Sequence, residues 1–355
     1  MGIERSAISD DANLQIYLHE LMRTRKIPGA QIAVVKNREI VYSNSIGYAD
    51  LEHKVPVSQN SVFSINSIAK AFTGVAIMQL VEEGLLDLSS KLSSYLDDLP
   101  GAWGKISIRQ LAALTSGLPD VMTVSLDGSI GLIGDGSEDA AWLMAYEMPL
   151  ISESGIKFNY SQTDYALLGR VIEKLSGMRF TDFVIERQLV PLGMGNTKYA
   201  NDCDIIEGRA TTYNSLYSAG AGPTGILRSC LNWPEMLRPA AGLHSTALDL
   251  AQWVISLQAN NLLKSPSSYS VMREPIALAN GSLGIMGIGW LSTPKASGHV
   301  SVPSGGCKSQ ITIYQDGLAI IFLTNLIGGL HEHLSAVSGD PINIGVMDEI
   351  AGYFE

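Results

Sequence analysis

Cysteine is scarce in this chain: Cys203, Cys230 and Cys307 are the only three, odd in number and far apart. Neither a disulfide framework nor a metal-ligand spacing is visible, which fits a reducing compartment. Charge is also sparse, at 17% of residues, and skewed: 24 Lys and Arg against 35 Asp and Glu give a formal charge of −11. No basic run is available to grip a polyanion, so nucleic acid is not an expected partner. Long apolar runs are missing as well. The most apolar segment, residues 317–330 (GLAIIFLTNLIGGL), is broken by Thr324, Asn325 and two glycines. It falls short of the roughly 18 apolar residues a membrane-spanning helix needs. Its first half reads as a buried strand. The opening MGIERSAISDDANLQ lacks the apolar core of a secretory leader. The sequence therefore predicts a cytoplasmic protein with no membrane partner, although a chain shortened at its N-terminus would read the same.

What is present is apolar bulk. Hydrophobic residues make up 46% of 355 positions, enough to bury a large core and too many for a disordered chain. Residues 29–50 carry two β-rich runs around Lys36-Asn37-Arg38, and residues 309–325 carry two around Gln315-Asp316-Gly317; both predict hairpins. From about 65 to 260 most apolar positions recur at helical spacing, as in TDYALLGRVIEKLSG (163–177) and STALDLAQWVISLQ (245–258). Serine and threonine precede those runs as N-caps would. No repeat or low-complexity linker divides the chain. The pattern predicts one mixed α/β unit: an α/β subdomain from approximately 1–60 and 240–355 around a mostly helical one at approximately 61–239.

Three Ser-x-x-Lys patterns occur: Ser67/Lys70, Ser154/Lys157 and Ser292/Lys295. The second contains Gly155 and the third Pro294, poor choices for a helix interior, so both are expected in loops. Ser67 instead opens a long apolar stretch, FSINSIAKAFTGVAIMQLVEEG. Residues i and i+3 share a helix face, and the Ser67 N–H is among the unpaired donors at the helix's positive end. Ile68, Ala69, Ala71, Phe72, Val75 and Ala76 surround Lys70. Desolvation lowers an ammonium's pKa, which is how a lysine becomes a base beside a serine nucleophile. An N-cap serine beside a snorkelling lysine is the bland alternative.

From that motif onward the chain resembles the penicillin-recognising serine hydrolases: class C β-lactamases, D-Ala-D-Ala carboxypeptidases and related esterases and transesterases. The phrases that carry the likeness are GYAD (47–50), residues 61–88 around Ser67, LTSGLPD (114–120), FNYSQTDYALLGRVIEKLSG (158–177), PLGMGNT (191–197) and AAGLHSTALDLAQW (240–253). The resemblance implies an antiparallel sheet flanked by helices, a mostly helical subdomain against it, and an active site in the cleft between. It also implies catalytic roles for Ser67 as nucleophile, Lys70, and a tyrosine from a Tyr-x-Asn motif. The literal Tyr42-Ser43-Asn44 lies in the first hairpin and is read as structural. The matching phrase instead places Tyr160-Ser161-Gln162 there, with Tyr165 and Leu167-Leu168-Gly169 following. Tyr160, a phenol near an ammonium, would ionise more easily and could take the serine's proton. Gln162 replaces the usual asparagine as a substrate contact, with a longer arm.

The third family motif, a cationic Lys-Thr-Gly or His-x-Gly box on an edge strand, has no clean counterpart. Gap-free alignment puts Val300-Ser301-Val302 in the box and Pro303, which has no N–H, where the second oxyanion donor belongs. A one-residue slip would bring in His299; otherwise Pro303-Ser304-Gly305-Gly306 could be the working turn, with Gly305 or Gly306 as donor. His331-Glu332-His333 hints at a metal, but no third ligand cluster accompanies it, so no metal or cofactor is expected. His244 reads as structural. The expectation is a serine acyl-transfer enzyme acting on a small ester or acyl substrate, with an acyl carrier as a further partner to consider. Without a cationic box, esterase or transesterase chemistry is favoured over β-lactamase or D-amino-acid peptidase activity. The alternative of another class is a catalytically weak binding or regulatory module.

Overall fold

Val34 and Val35 are neighbours in sequence and belong to two different cores, because successive side chains of a strand point to opposite faces. They lie in the middle of the main sheet of the computed structural model, which describes residues 10–125, 129–217, 223–292, 296–300, 309–327 and 344–355. Ile32 and Val34 pack with Leu14, Leu18, Met347 and Ile350 of the terminal helices α1 (Asp10–Arg25) and α9 (Ile344–Ala351). Ala33 and Val35 face the larger core, where Trp253 and Val254 of α7 (Ala247–Gln258) lie. Helices therefore cover both faces of the sheet, which explains why β1 is buried along almost its whole length.

Among the described residues the main sheet has seven antiparallel strands in the order β11-β12-β13-β14-β1-β2-β3. These are β1 (Gly29–Lys36), β2 (Glu39–Asp50), β3 (Val55–Pro56), β11 (Leu291–Ser292), β12 (Ala296–Val300), β13 (Gln310–Tyr314) and β14 (Ala319–Thr324). Both predicted hairpins form. Asn37 and Arg38 turn the first with φ of 55° and 64°, a two-residue turn whose twist matches the strands. Gly317, at φ 91°, turns the second. The termini meet in the sheet's centre, where β1 pairs with β14.

The chain between the two hairpins supplies α2 (Ala69–Glu82), α3 (Ile108–Ala112), α4 (Glu138–Glu147), α5 (Gln162–Ser176) and α6 (Phe180–Val184), then α7 and α8 (Pro266–Arg273). It is less purely helical than the sequence implied. Short pairings interrupt it: β4 (Phe63–Ser64) with β10 (Leu243–Ser245) and β7 (Lys198–Tyr199), β5 (Met122–Val124) with β6 (Ile130–Leu132), and β8 (Tyr213–Tyr217) with β9 (Pro223–Arg228) and β15 (Leu326–Ile327). Thr246 caps α7 as expected, accepting from the Asp249 N–H. Thr163 does not cap α5. It lies inside the first turn, where its hydroxyl donates to Pro119 O and accepts from the Val121 N–H, while Ser161 takes the cap position. Ser292 is on strand β11, not in a loop, whereas Ser154 and Lys157 are in one.

The cysteine expectation is corrected. Cys203 and Cys230 form a disulfide. Their separation in sequence hid it, because segments around Asp202 and Leu231 run side by side and exchange hydrogen bonds: Asp202 N–H to Leu231 O at 3.0 Å, and Leu231 N–H to the Asp202 carboxylate at 3.1 Å. Among the described residues no helix is long and apolar enough to cross a membrane.

Candidate active site

Phe63 and Ser64 pair with β10, and the chain then enters a single 3-10 turn, Asn66–Ile68, that runs straight into α2. Ser67 sits in that turn. Its N–H makes no hydrogen bond within the described residues, leaving a donor free at the positive end of a helix of 14 residues. One turn on, Lys70 is completely buried. Its ammonium nitrogen lies 4.8 Å from the ring centre of Tyr160 and 5.1 Å from that of Tyr165. Tyr160 approaches from the loop before α5, and its hydroxyl donates to Ser67 Oγ at 2.9 Å. The fold thus brings Ser67, Lys70 and Tyr160 together from segments more than 90 residues apart.

Lys70 Nζ donates to Gln162 Oε1 at 2.8 Å and to Ala240 O at 3.0 Å. Two acceptors satisfy the two N–H bonds of a neutral amine and leave its lone pair over. Burial brings the Lys70 pKa down to about 7, against the opposing pull of the Asp120 and Asp164 carboxylates. Tyr160 departs from expectation. Burial pushes its phenol up to about 12, although its hydrogen bonds with Ser67 and Gln162 act the other way. Desolvation of the phenolate outweighs a neighbouring amine that is itself poorly charged, so the lysine, not the tyrosine, is the group poised near neutral pH.

The Ala240 carbonyl is held in place by two close approaches. Gly169 of α5 lets Pro239 pack on the helix, since a Cβ at that position would lie 2.3 Å from Pro239 Cγ. Thr73, one turn beyond Lys70, donates its hydroxyl to Pro239 O at 2.6 Å. Gln162, 3% exposed, is therefore occupied by Lys70 through its amide oxygen.

Two carboxylates escaped the sequence reading. Asp120 accepts from the Gln162 N–H with both oxygens, at 3.3 and 3.2 Å, and from the Met122 N–H at 3.0 Å. It thus sits at the positive end of α5; burial raises its pKa and these N–H bonds oppose the rise. Asp164 is fully buried, takes a 2.6 Å hydrogen bond from the Ser116 hydroxyl, and is pushed by burial well above the usual carboxylate range. Asp120 stands in the quoted phrase LTSGLPD, which was its available signal. Asp164 reads as an ordinary first-turn acid of a helix and had none.

The Val300–Pro303 region is reached only in part. β12 runs alongside the Asn66–Ile68 turn, and His299 lies on it opposite Ile311, with Val300 opposite Gln310. Ser301, Val302, Pro303, Gly305 and Gly306 lie outside the described residues, as do His331, Glu332 and His333. Among the described residues no cluster of His, Cys, Asp or Glu is arranged to hold a metal. The other assignments fall away from the site: Tyr42 accepts from Asn44 and packs on Phe354, and His244 pairs with Asp202 at 2.9 Å inside the core.

This geometry coincides with a family match. The Beta-lactamase family profile fits residues 14–336. The chain belongs to the penicillin-recognising serine hydrolases. Within that family it is 29% identical over 312 residues to penicillin-binding protein 4* of Bacillus subtilis (strain 168), covering 85% of this chain and 68% of that one. It is 30% identical over 246 residues to protein flp of Staphylococcus aureus (strain MW2), covering 66% of this chain. The chain spans 46% of that relative's length. A solved octameric penicillin-binding protein homologue from Pyrococcus abyssi superposes with a TM-score of 0.72 at 26% identity, over 89% of this chain and 73% of the other. A D-amino acid amidase from Ochrobactrum anthropi SV3 superposes with a TM-score of 0.78 over 98% of this chain and 100% of its own, at 21% identity, a likeness of fold.

Proposed function

We propose that this serine hydrolase transfers acyl groups through an acyl-enzyme on Ser67, with ester hydrolysis or transesterification as its reaction. The observation that carries the reading is the 2.9 Å contact between Tyr160 and Ser67 beside a lysine whose two N–H bonds are already spoken for. In the acylation step Ser67 Oγ bonds to the substrate carbonyl carbon while its proton passes to the Tyr160 oxygen. The phenolic proton moves toward the lone pair of neutral Lys70. The free Ser67 N–H supports the oxyanion, a second N–H comes from the chain after β12, and collapse expels the alcohol, reprotonated through the same groups. Water or another alcohol then releases the acyl group; an acyl carrier is a further candidate donor. Gln162 holds Lys70, and His299, Gly305 and Gly306 are the candidate substrate contacts from the strand side by sequence.

The preference for esters rests on sequence. Val300-Ser301-Val302 offers no cation where a substrate carboxylate would be anchored by a charge-assisted hydrogen bond. β-Lactams and D-alanyl peptides carry that carboxylate. Nitrophenyl butyrate is therefore expected to be turned over with a higher kcat/KM than benzylpenicillin, nitrocefin or a D-alanyl dipeptide; the reverse order would overturn the ester preference. Ser67→Ala, Lys70→Ala and Tyr160→Phe should each remove most turnover without unfolding the chain. The Ser67→Ala/Lys70→Ala double variant should be no worse than either single one, because both serve one step. Retention of the three groups in contact counts against a binding module.

A further inference from the structure

Asn66, the residue before Ser67, holds a left-handed φ of 43° and is fully buried. Asparagine tolerates that region better than most residues, yet the conformation has a cost that a surface turn would leave to glycine. Glycine would not supply what Asn66 does next. Its Oδ1 accepts from the indole N–H of Trp233 at 3.0 Å and from the Ser64 hydroxyl at 3.2 Å. Its Nδ2 is buried with no partner among the described residues. Turning the amide over would set that NH2 against the indole N–H, which can only donate, so the Trp233 contact fixes its orientation.

The partner is itself anchored. Trp233 is 3% exposed, and its backbone N–H donates to Asn201 Oδ1 at 2.8 Å. Two residues earlier, Leu231 exchanges hydrogen bonds with Asp202 beside the Cys203–Cys230 bridge. A stiff wall therefore reaches, through one N–H, the peptide unit that aims the serine.

We infer that Asn66 and Trp233 form a clamp that holds the nucleophile turn in its left-handed conformation, so that Ser67 Oγ meets Tyr160 while the Ser67 N–H stays free for the oxyanion. The inference rests on Ser67 as the nucleophile. Neither residue touches substrate, since both are buried; they are positioning residues that act through Ser67.

The test is the rate at which a fluorophosphonate labels Ser67, measured beside kcat and KM for nitrophenyl butyrate at a temperature well below each variant's Tm. Trp233→Phe keeps an aromatic side chain but removes the indole N–H together with the rest of the five-membered ring, so a lower Tm is expected beside any effect on rate. It should slow labelling and kcat about tenfold or more, with KM within about twofold of the wild type, because misplacing a reacting group by a fraction of an ångström costs rate rather than binding. Asn66→Gly keeps the φ and loses the acceptor, and should fall by a similar factor. Asn66→Ala loses both and should fall further. The Asn66→Gly/Trp233→Phe pair should be no slower than the slower single variant, since both break one link. Labelling of Trp233→Phe at the wild-type rate with only a lowered Tm, or losses that multiply in the pair, would overturn the clamp. A wild type that takes no label at all would remove the nucleophile reading itself, and the clamp with it.

Discussion

Lys70 has two carboxylates as electrostatic neighbours, Asp120 and Asp164, and both pull its pKa upward. Burial raises the pKa of each, well above the usual carboxylate range for Asp164, while the N–H groups of Met122 and Gln162 oppose the rise at Asp120. A negative neighbour favours the ammonium, so Asp120 raises the Lys70 pKa toward the value of about 7 at which burial leaves it. If neutral Lys70 is the active form, the acylation rate should rise with pH through that range. Asp120→Asn removes the negative charge, lowers the Lys70 pKa, and should move the acid limb of kcat/KM to lower pH. The α5 dipole loses an interaction in the same variant, about 0.3–1 kcal/mol, so stability should fall slightly. A pH–rate profile of the two proteins checks the sign; an acid limb that moves to higher pH would reject the electrostatic argument. The sequence showed Lys70 and its apolar surroundings clearly. It could not show that the tyrosine's burial would exceed the lysine's influence, because that depends on how the folded chain packs Tyr160 against the core.

At the scale of elements, the site depends on three segments pressed against one another: α2 with Lys70 and Thr73, α5 with Gly169, and the Pro239–Ala240 stretch between them. Gly169 is the position where this packing is most exposed to test. Alanine would favour the helix by about 1 kcal/mol. Its methyl, however, would collide with Pro239, and overpacking of that kind costs about 1–3 kcal/mol. Displacing Pro239 also draws the Ala240 carbonyl away from Lys70. Gly169→Ala should therefore lower both Tm and kcat, and a variant more stable than the wild type would contradict the packing. Much of this layer was legible beforehand. The hairpins followed from alternating apolar runs around turn residues, and α5 and α7 from their apolar period. The short pairings β4-β10-β7 and β8-β9 were not, because strands of a few residues carry too little period to separate from loop.

For the whole molecule, the antiparallel sheet with helices on both faces was predicted from the β-rich termini and the family phrases, and the structure and the family match bear it out. The disulfide was missed because pairing depends on which loops lie side by side, and a separation of 27 residues between Cys203 and Cys230 carries no signal of that. Closing a loop of that length stabilises a fold by about 2–4 kcal/mol. Unfolding without reductant should therefore expose one thiol, Cys307, out of three cysteines, and reduction should expose all three and lower Tm. Three reactive thiols without reductant would contradict the bridge. The source of a second oxyanion donor was the least legible part of the sequence, since a lost box and a proline leave sequence matching with several registers, and residues 301–308 lie outside the described ones.

The central claim is that Ser67 carries the acyl group. Rapid acid quench of the protein during turnover of nitrophenyl butyrate, followed by peptide mass mapping, reads that directly. The account predicts a butyryl adduct on the peptide containing Ser67, absent from Ser67→Ala and undiminished in Ser154→Ala and Ser292→Ala. Turnover with no adduct on Ser67, or an adduct that persists in Ser67→Ala, would contradict it.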